Sequence, residues 1–354
     1  MPVIVLDGAT GSGSGTIVRL AVCLAALTGE SLHLFNIRVK REKPGLRHQH
    51  LAAVMACRDM CDGVVEGAAA GAREIFFRPV HPPRGGFYAW DVGSAGSAVL
   101  LLHTVLPLAL FAGAPVTLRV TGGLFQDFAP SPFHTQNVLL PLLRRMGAEA
   151  DLAVVRPGYV PAGEGVVELK VRPVKSLRPL VLTSPGRVVR FAGVALASHL
   201  AERHVAERMT ESLRSSLRPF GIPVEVEVRE DATAKQAGAA LCVWAVTDTG
   251  AVLGADRAGA PGRRSEAIGR YVARCLQEDL AGGATVDRFT ADQLVVYAAL
   301  AAGETRYRVP AVTEHVATNL QVVAQLLGVE ACAEEAERVV RVCGSGLRPI
   351  RSSP

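Results

Sequence analysis

His315 stands in the stretch VPAVTEHVATN, five residues after Pro310, where the pattern predicts the start of a helix. Imidazole is a competent nucleophile toward phosphorus because a large neutral fraction exists near pH 7. A helix N-terminus disfavours imidazolium and keeps the ring available. A histidine placed this way also suits a helix cap or a core position, and spacing leaves those readings open. A second chemical feature is GATGSGSGTIVR, residues 8–19, which follows the apolar run Val3-Ile4-Val5-Leu6 and leads into a helix-like stretch carrying Arg19. Glycine loops between a strand and a helix hold phosphates, since backbone N–H groups and the helix dipole both face the anion. This loop has no lysine followed by Ser or Thr, and no downstream acid placed for a ribose. A third is the run Arg38, Lys40, Arg41, Lys43 and Arg47, followed by His48 and His50, which fits either an anion contact or a solvated edge.

The elements that must carry these residues show a hidden repeat. Three segments read as apolar helix, glycine, then strand: RLAVCLAALTGESLHL, HTVLPLALFAGAPVTLRV and QLVVYAALAAGETRYRV. Their glycines Gly29, Gly113 and Gly303 each lie ten residues after Arg19, His103 and Gln293. Three further helix-like segments end at Gly63, Gly147 and Gly328, each thirteen residues after His50, His134 and His315. Two such coincidences in one chain order predict a strand-helix-strand-helix unit with further strands, used three times. Packed about a pseudo-threefold axis, equivalent helix starts would converge on a central, anion-friendly site. Residues 184–282 break the pattern. GRVVRFAGVAL, IPVEVEVRE and ALCVWAVT alternate like strands, and two amphipathic helices end at glycine, which predicts a small inserted α/β domain. The larger domain would then be residues 1–183 and 283–354.

With 354 residues, 49% apolar and 20% charged, the chain is long enough for two or three domains and has a globular composition. A net charge of +5 permits an anionic partner without requiring one. The seven cysteines are scattered, and Cys57 and Cys61 lack a second pair to complete a zinc set, so free thiols in a reducing compartment are expected. No secretion signal opens the chain and a cytoplasmic location is expected. The apolar stretch 97–116 approaches a membrane span in length, but His103 and Pro107 interrupt it, which favours a buried helix. No membrane association and no obligate protein partner are expected.

The motifs KPGLRHQHLAAV, VGSAGSAVLLLHTVLP, RPGYVPAGEGVVELKV, ADQLV and HVATN, in this order over nearly the whole chain, resemble those of the RNA 3′-terminal phosphate cyclase family. The resemblance implies an α/β fold. It would have three βαβαββ-type repeats like the C-terminal domain of translation initiation factor 3, plus an inserted α/β domain. It implies ATP and an RNA with a 3′-phosphate as substrates, Mg²⁺ or Mn²⁺ as metal, and a 2′,3′-cyclic phosphate as product, formed through histidine–AMP and RNA–adenylate intermediates. By motif position the nucleophile is His315, and Asp292 is the acid expected to orient it. Phe289, Thr290, Ala291, Asp292 and Gln293 match a nucleotide-binding segment, with Phe289 placed to stack on adenine; His103 and Pro130 fall at further nucleotide positions. Arg19, Arg41, Gln49 and His50 match phosphate positions, and Arg38 is a further expected phosphate contact.

Three departures stand out. The family loop carries a metal-binding glutamate where this chain has Ser12, a weak neutral ligand at best, and a glutamine where it has Thr16. A family glutamine is replaced by His103, and an acid after the Ala-Pro motif is missing from APSPFHT, which has Phe133 and His134 there. Beside the cyclase reading stand two others. One is a relative with a shifted substrate or lost catalysis that binds RNA. The other is a three-repeat enzyme of the enolpyruvyl-transfer type, which needs no covalent histidine.

Overall fold

The computed structural model describes residues 3–349. The first part of the chain runs β1 (Val3–Asp7), α1 (Gly15–Thr28), β2 (Ser31–Phe35), α2 (His48–Met60), β3 (Val64–Glu66) and β4 (Ile75–Arg78). The second runs β5 (Gly86–Asp91), α3 (Ala98–Leu110), β6 (Val116–Gly122), α4 (Pro132–His134), α5 (Leu140–Arg145), β7 (Glu149–Arg156) and β8 (Gly165–Arg172). After β9 (Val181–Leu182) come β10 (Val188–Ser198), α6 (Val205–Leu217), β11 (Val224–Asp231), β12 (Gly238–Thr247), β13 (Val252–Ala258) and α7 (Ser265–Ala281). The chain closes with α8 (Thr290–Leu300), β14 (Glu304–Arg308), α9 (Glu314–Leu327), β15 (Ala331–Glu334) and β16 (Val339–Cys343).

This is a mixed α/β protein of four-stranded sheets. Three sheets share one order, β1-β2-β4-β3, β5-β6-β8-β7 and β9-β14-β16-β15. They also share one set of pairing senses: the first two strands of each are parallel and the remaining pairs antiparallel. A parallel pair needs a crossover, and α1, α3 and α8 supply it. The segment that interrupts the third set forms the fourth sheet, β11-β10-β12-β13, covered by α6 and α7. The helices α1, α3 and α8 are buried nearly all round, which fits their mean apolarity and places the main core between the sheets. The 97–116 stretch is such a helix, ending at Leu110 with Pro107 inside it. Among the described residues no helix is long and apolar enough to cross a membrane. All seven cysteines are free thiols.

The helix expected from His134 to Gly147 is not regular. Thr135–Leu139 form a π-helical turn between α4 and α5, with Leu140 N–H donating to Thr135 O five residues back. Pro141 explains it. The ring has no N–H for the Asn137 carbonyl and would press on it, so the backbone widens by one residue ahead of the proline.

A buried ionic cluster joins the fourth sheet to the rest. Asp287, fully enclosed, accepts from Phe289 N–H (2.8 Å) and Thr290 N–H (2.9 Å) through Oδ1. Its Oδ2 accepts from Gly254 N–H (2.9 Å) on β13 and the Thr290 hydroxyl (3.1 Å), and lies 3.0 Å from His134 Nε2. Nearby, Asp256 Oδ2 accepts from Ser131 N–H at 2.7 Å. Burial by itself would lower His134, but Asp287 outweighs it and holds the ring above its ordinary value. Burial works to raise Asp287, while His134 and the donated hydrogen bonds keep it below the usual range. Burial dominates at Asp256 and leaves its carboxyl raised. Removing one partner of such a pair strands a buried charge, so Asp287→Ala is expected to cost about 3–5 kcal/mol in urea unfolding. A raised histidine loses its contribution as pH rises above its folded value, and a lowered aspartate loses its own as pH falls. The difference between wild type and Asp287→Ala should therefore be largest between the ordinary values of 3.8 and 6.5 and shrink on both sides.

Candidate active site

The glycine-serine loop is shaped by what presses on it. Gly11 has φ +49°, and a side chain there would collide with the Thr318 hydroxyl of α9. At Gly15 a methyl group would strike the His50 imidazole. Glycine is thus needed for close approach rather than for flexibility. Ser14 caps α1, accepting from Thr16 N–H at 3.4 Å. Its Oγ lies 3.0 Å from the Ser12 hydroxyl and 3.4 Å from His315 Nδ1. Ser12 N–H donates to Thr318 Oγ1 at 3.0 Å, and the Thr16 hydroxyl donates to Asn319 Oδ1 at 3.1 Å. HVATN therefore acts as a helical face: His315, Thr318 and Asn319, at i, i+3 and i+4, all meet the loop. His315 itself is exposed, on the first turn of α9 after the Thr313 cap.

The basic run folds over the same loop. Lys40 Nζ donates to Gly11 O at 3.1 Å, and Arg41 to Ser12 O at 3.3 Å. Arg38, at φ +55°, donates to Lys43 O and Gly45 O, both at 2.8 Å, so part of its guanidinium is committed to its own turn. Partial burial, Arg47 and Arg41 lower Arg38. Gln49 Oε1 accepts from Ser97 N–H at 3.1 Å and so ties α2 to the start of α3. His50 is buried and accepts from Arg47 N–H through Nδ1 at 3.1 Å. Burial, with Arg19, Arg38 and Arg47 beside it, pushes its imidazole down to about 2. With Nδ1 accepting from Arg47, the neutral ring carries its one N–H on Nε2, the atom that faces Gly15.

Arg19, His103 and Gln293 line one small cavity with Thr16, Asp292 and Asn319. His103 Nδ1 lies 3.0 Å from Gln293 Oε1 and its Nε2 lies 2.9 Å from Thr135 Oγ1. Burial lowers this imidazole to about 4, so it bridges as a neutral group. Enclosure lowers Arg19 to about 10 against the pull of Asp292, leaving it cationic near pH 7. Asp292 is raised by burial, while His315, Gln293 and Arg19 oppose the shift. Ser14 is the side chain within hydrogen-bonding reach of His315, while Asp292, expected to orient that ring, lies close enough for His315 to oppose the rise of its carboxyl. Phe289 is half-buried with its ring edge-on to His134, 5.7 Å between centroids, held by the Asp287 bonds. Thr290 and Ala291 are buried in the first turn of α8, and Pro130 is buried just before the Ser131 cap.

Ser14, Thr318, Asn319 and Asp287 were not anticipated. Ser14 was legible as a helix cap, and HVATN as a face; Asp287 becomes visible only once β13 and α4 are brought together. The metal expectation does not fit these residues. Ser12 offers a neutral oxygen already engaged with Ser14, and among the described residues no group of three or more His, Cys, Asp or Glu side chains could hold a metal ion.

The contact between Gly15 and His50 makes a direct prediction. Gly15→Ala should destabilise by about 1–3 kcal/mol through overpacking. Adding His50→Ala should recover part of that loss, so a double-mutant cycle in urea is expected to be non-additive.

Comparison with known proteins bears on the whole chain. The family described as RNA 3′-terminal phosphate cyclase matches residues 10–332. The RNA 3′-terminal phosphate cyclase of Hyperthermus butylicus is 39% identical over 331 residues, covering 92% of this chain and 91% of that protein. The protein of that name from Pyrobaculum neutrophilum is 37% identical, covering 96% and 98%, and that from Nitrosospira multiformis 36%, covering 95% of each. A solved structure, the enolpyruvyl transferase NikO from Streptomyces tendae, is 15% identical with a TM-score of 0.27, and the alignment spans 98% of this chain but 52% of that one. At that level the structural likeness carries no weight beside the sequence matches. The chain belongs to the RNA 3′-terminal phosphate cyclase family.

Proposed function

We propose that this protein converts an RNA 3′-phosphate into a 2′,3′-cyclic phosphate at the expense of ATP, through a covalent adenylate on His315. The observation that carries the reading is His315, exposed on the first turn of α9, with Ser14 of the glycine-serine loop at its Nδ1 and Arg19 and Asp292 behind the loop. With Nδ1 beside Ser14, Nε2 is the nitrogen free to attack the α-phosphorus of ATP. An N–P bond forms, the bond to the bridging oxygen breaks, and pyrophosphate leaves. Positive charge grows on the imidazole in this step, and in this reading the Asp292 carboxylate stabilises it. The AMP then passes to a 3′-phosphate oxygen of the RNA, restoring the imidazole. Attack of the neighbouring 2′-OH on the 3′-phosphorus expels AMP and closes the ring.

Charge on the phosphates is met by Arg19, Arg38 and Arg41 together with the loop amides. A neutral His50 and Gln49 supply hydrogen bonds at the same site. Pro130 and Phe289 to Gln293, with His103, form the nucleotide side, Phe289 stacking on the base. Mg²⁺ or Mn²⁺ belongs to the nucleotide in this reading, since the residues of the loop do not fit a protein-held ion. The same proposal includes the likeness of residues 1–183 and 283–354 to a three-repeat initiation factor 3 C-terminal fold, residues 184–282 as an inserted domain, and a cytoplasmic place of action.

Incubation with α-labelled ATP and metal is expected to leave acid-labile, base-stable label on the protein, and His315→Ala to leave none. Asp292→Asn should slow labelling by about 10²-fold, as for the loss of one electrostatic stabiliser. Wild-type protein that never traps label, with any divalent metal, would end the covalent reading in favour of RNA binding or enolpyruvyl-type chemistry. A second expectation concerns the loop: Ser12→Glu, which restores a carboxylate, should lower the metal concentration needed for half-maximal labelling. An unchanged requirement would show that the loop is not where the metal sits.

A further inference from the structure

A cavity of about 550 Å³ opens between the β7–β8 connection, the segment leading into α6, and the turn before α7. It lies outside the adenylate site and shares no lining residue with it. Its walls are apolar, with Tyr159 and Ile268 among them, and four arginines line it: Arg203, Arg208, Arg263 and Arg264. No carboxylate is among the lining side chains. Glu266 pairs with Arg208 at 2.7 Å and Asp127 with Arg263 at 2.7 Å, but among the described residues Arg203 and Arg264 have no acidic partner. Both are exposed. The cavity also receives the start of α7, where Ser265 follows an Arg264 that makes no side-chain cap. An apolar chamber of this size with unbalanced cations at its mouth suits a nucleoside phosphate.

A second observation concerns the chain that leads from this cavity toward Pro130. Asp127 is gripped by Arg263, whose two terminal nitrogens donate to its two carboxylate oxygens at 3.0 and 2.7 Å, and by Arg257 at 3.2 Å. The next residue, Phe128, is 94% exposed and held at φ +65°. A bulky side chain in that conformation costs energy, and a fully exposed ring recovers nothing from burial, so the fold holds an aromatic face out to solvent against its preference. Phe128 is two residues from Pro130, a span of at most roughly 7 Å. Along the chain the exposed aromatic thus lies between Asp127, which is bonded to the cavity's Arg263, and Pro130, which the proposed function assigns to the nucleotide.

We propose that this path binds the RNA strand upstream of its 3′ end: a base stacks on Phe128, and the cavity takes a further nucleotide with its phosphates on Arg203 and Arg264. The inference rests on RNA as substrate. Stacking on exposed aromatics with arginines along the backbone is how single strands are held without sequence preference. The arrangement assigns a role in substrate binding to the fourth sheet's segment, separate from the residues that handle ATP.

The test uses the full chain, a fluorescent twelve-nucleotide single-stranded RNA ending in a 3′-phosphate, and a dinucleotide with the same end. Arg203→Glu/Arg264→Glu should weaken binding of the long RNA, read by anisotropy, by about tenfold or more, and reduce its salt slope by about 1.4, the value for two phosphate contacts on a single strand. Phe128→Ala should weaken the same binding. Both variants should take label from ATP at the wild-type rate and leave the KM for the dinucleotide unchanged, and Arg203→Lys/Arg264→Lys should retain affinity. Unchanged long-RNA affinity and salt slope in the glutamate variant would overturn the proposal. So would loss of labelling in a variant with wild-type urea unfolding, which would move these residues into the ATP site. Competition by polyglutamate as effective as by RNA would overturn it as well, in favour of an acidic protein partner. If wild-type protein takes no label from ATP, the cyclase reading fails, while the anisotropy measurements still decide whether this path binds RNA.

Discussion

The placement of the first turn of α8 depends on one buried carboxylate. Asp287 has no access to water, so every lone pair it presents must find a donor inside the protein. It finds them in three stretches of chain: the first turn of α8, the backbone of β13 and the ring of His134. Because the two amides belong to Phe289 and Thr290, the bonds that satisfy the charge also fix where α8 begins. That start sets the direction of Phe289 and the position of Asp292 in the same first turn. Rotation of the fourth sheet away from α4 would strip Gly254 from the cluster and leave a charge short of donors. The fourth sheet is thus bound to α4 and the start of α8 by electrostatics as well as by packing.

A second constraint acts where the helix starts meet. Each leaves free N–H groups and partial positive charge, and the arginines add more. The protein limits the self-repulsion by keeping two imidazoles neutral. His50 and His103 are both pressed well below the ordinary value by burial, with cationic neighbours adding to it. Arg19 stays charged, with Asp292 as counter-charge. The result is a site with exposed cations tied to backbone carbonyls at its mouth, one enclosed cation at its base, and neutral hydrogen-bonding rings between them. Such a balance of charge favours an anion over a second cation.

The spacing of glycines and histidines revealed much of this arrangement. Arg19, His103 and Gln293, aligned only by their distance to a following glycine, do line one cavity, because each sits at the same depth of a crossover helix. His50, His134 and His315 each fall in the first turn of a helix. What spacing could not reveal was how differently the three would be used. His50 caps its own helix and fills a gap at Gly15, His134 becomes half of an ion pair, and His315 alone faces outward. Those fates depend on neighbours distant in sequence: Gly15, Asp287 and Ser14 respectively. The π-helical turn before Pro141 was hidden for a different reason. A proline in a helix must disturb it, but whether by a kink, a break or a widened turn is decided by the packing around it.

The loop that holds Ser12 shows how a carboxylate can be absent without collapse of its surroundings. An acid at this position would stand among Lys40, Arg41 and Arg38, and its loss would leave those cations less compensated. The structure answers with backbone acceptors: Gly11 O and Ser12 O take hydrogen bonds from Lys40 and Arg41, and Lys43 O and Gly45 O from Arg38. Carbonyl dipoles can hold a cation in place without neutralising it, so the net positive charge at the loop persists. A more positive loop attracts a polyphosphate more and a divalent cation less. The Gly-Ser loop therefore presents an uncompensated positive charge, while the close approach of Gly11 to α9 and of Gly15 to α2 keeps its shape.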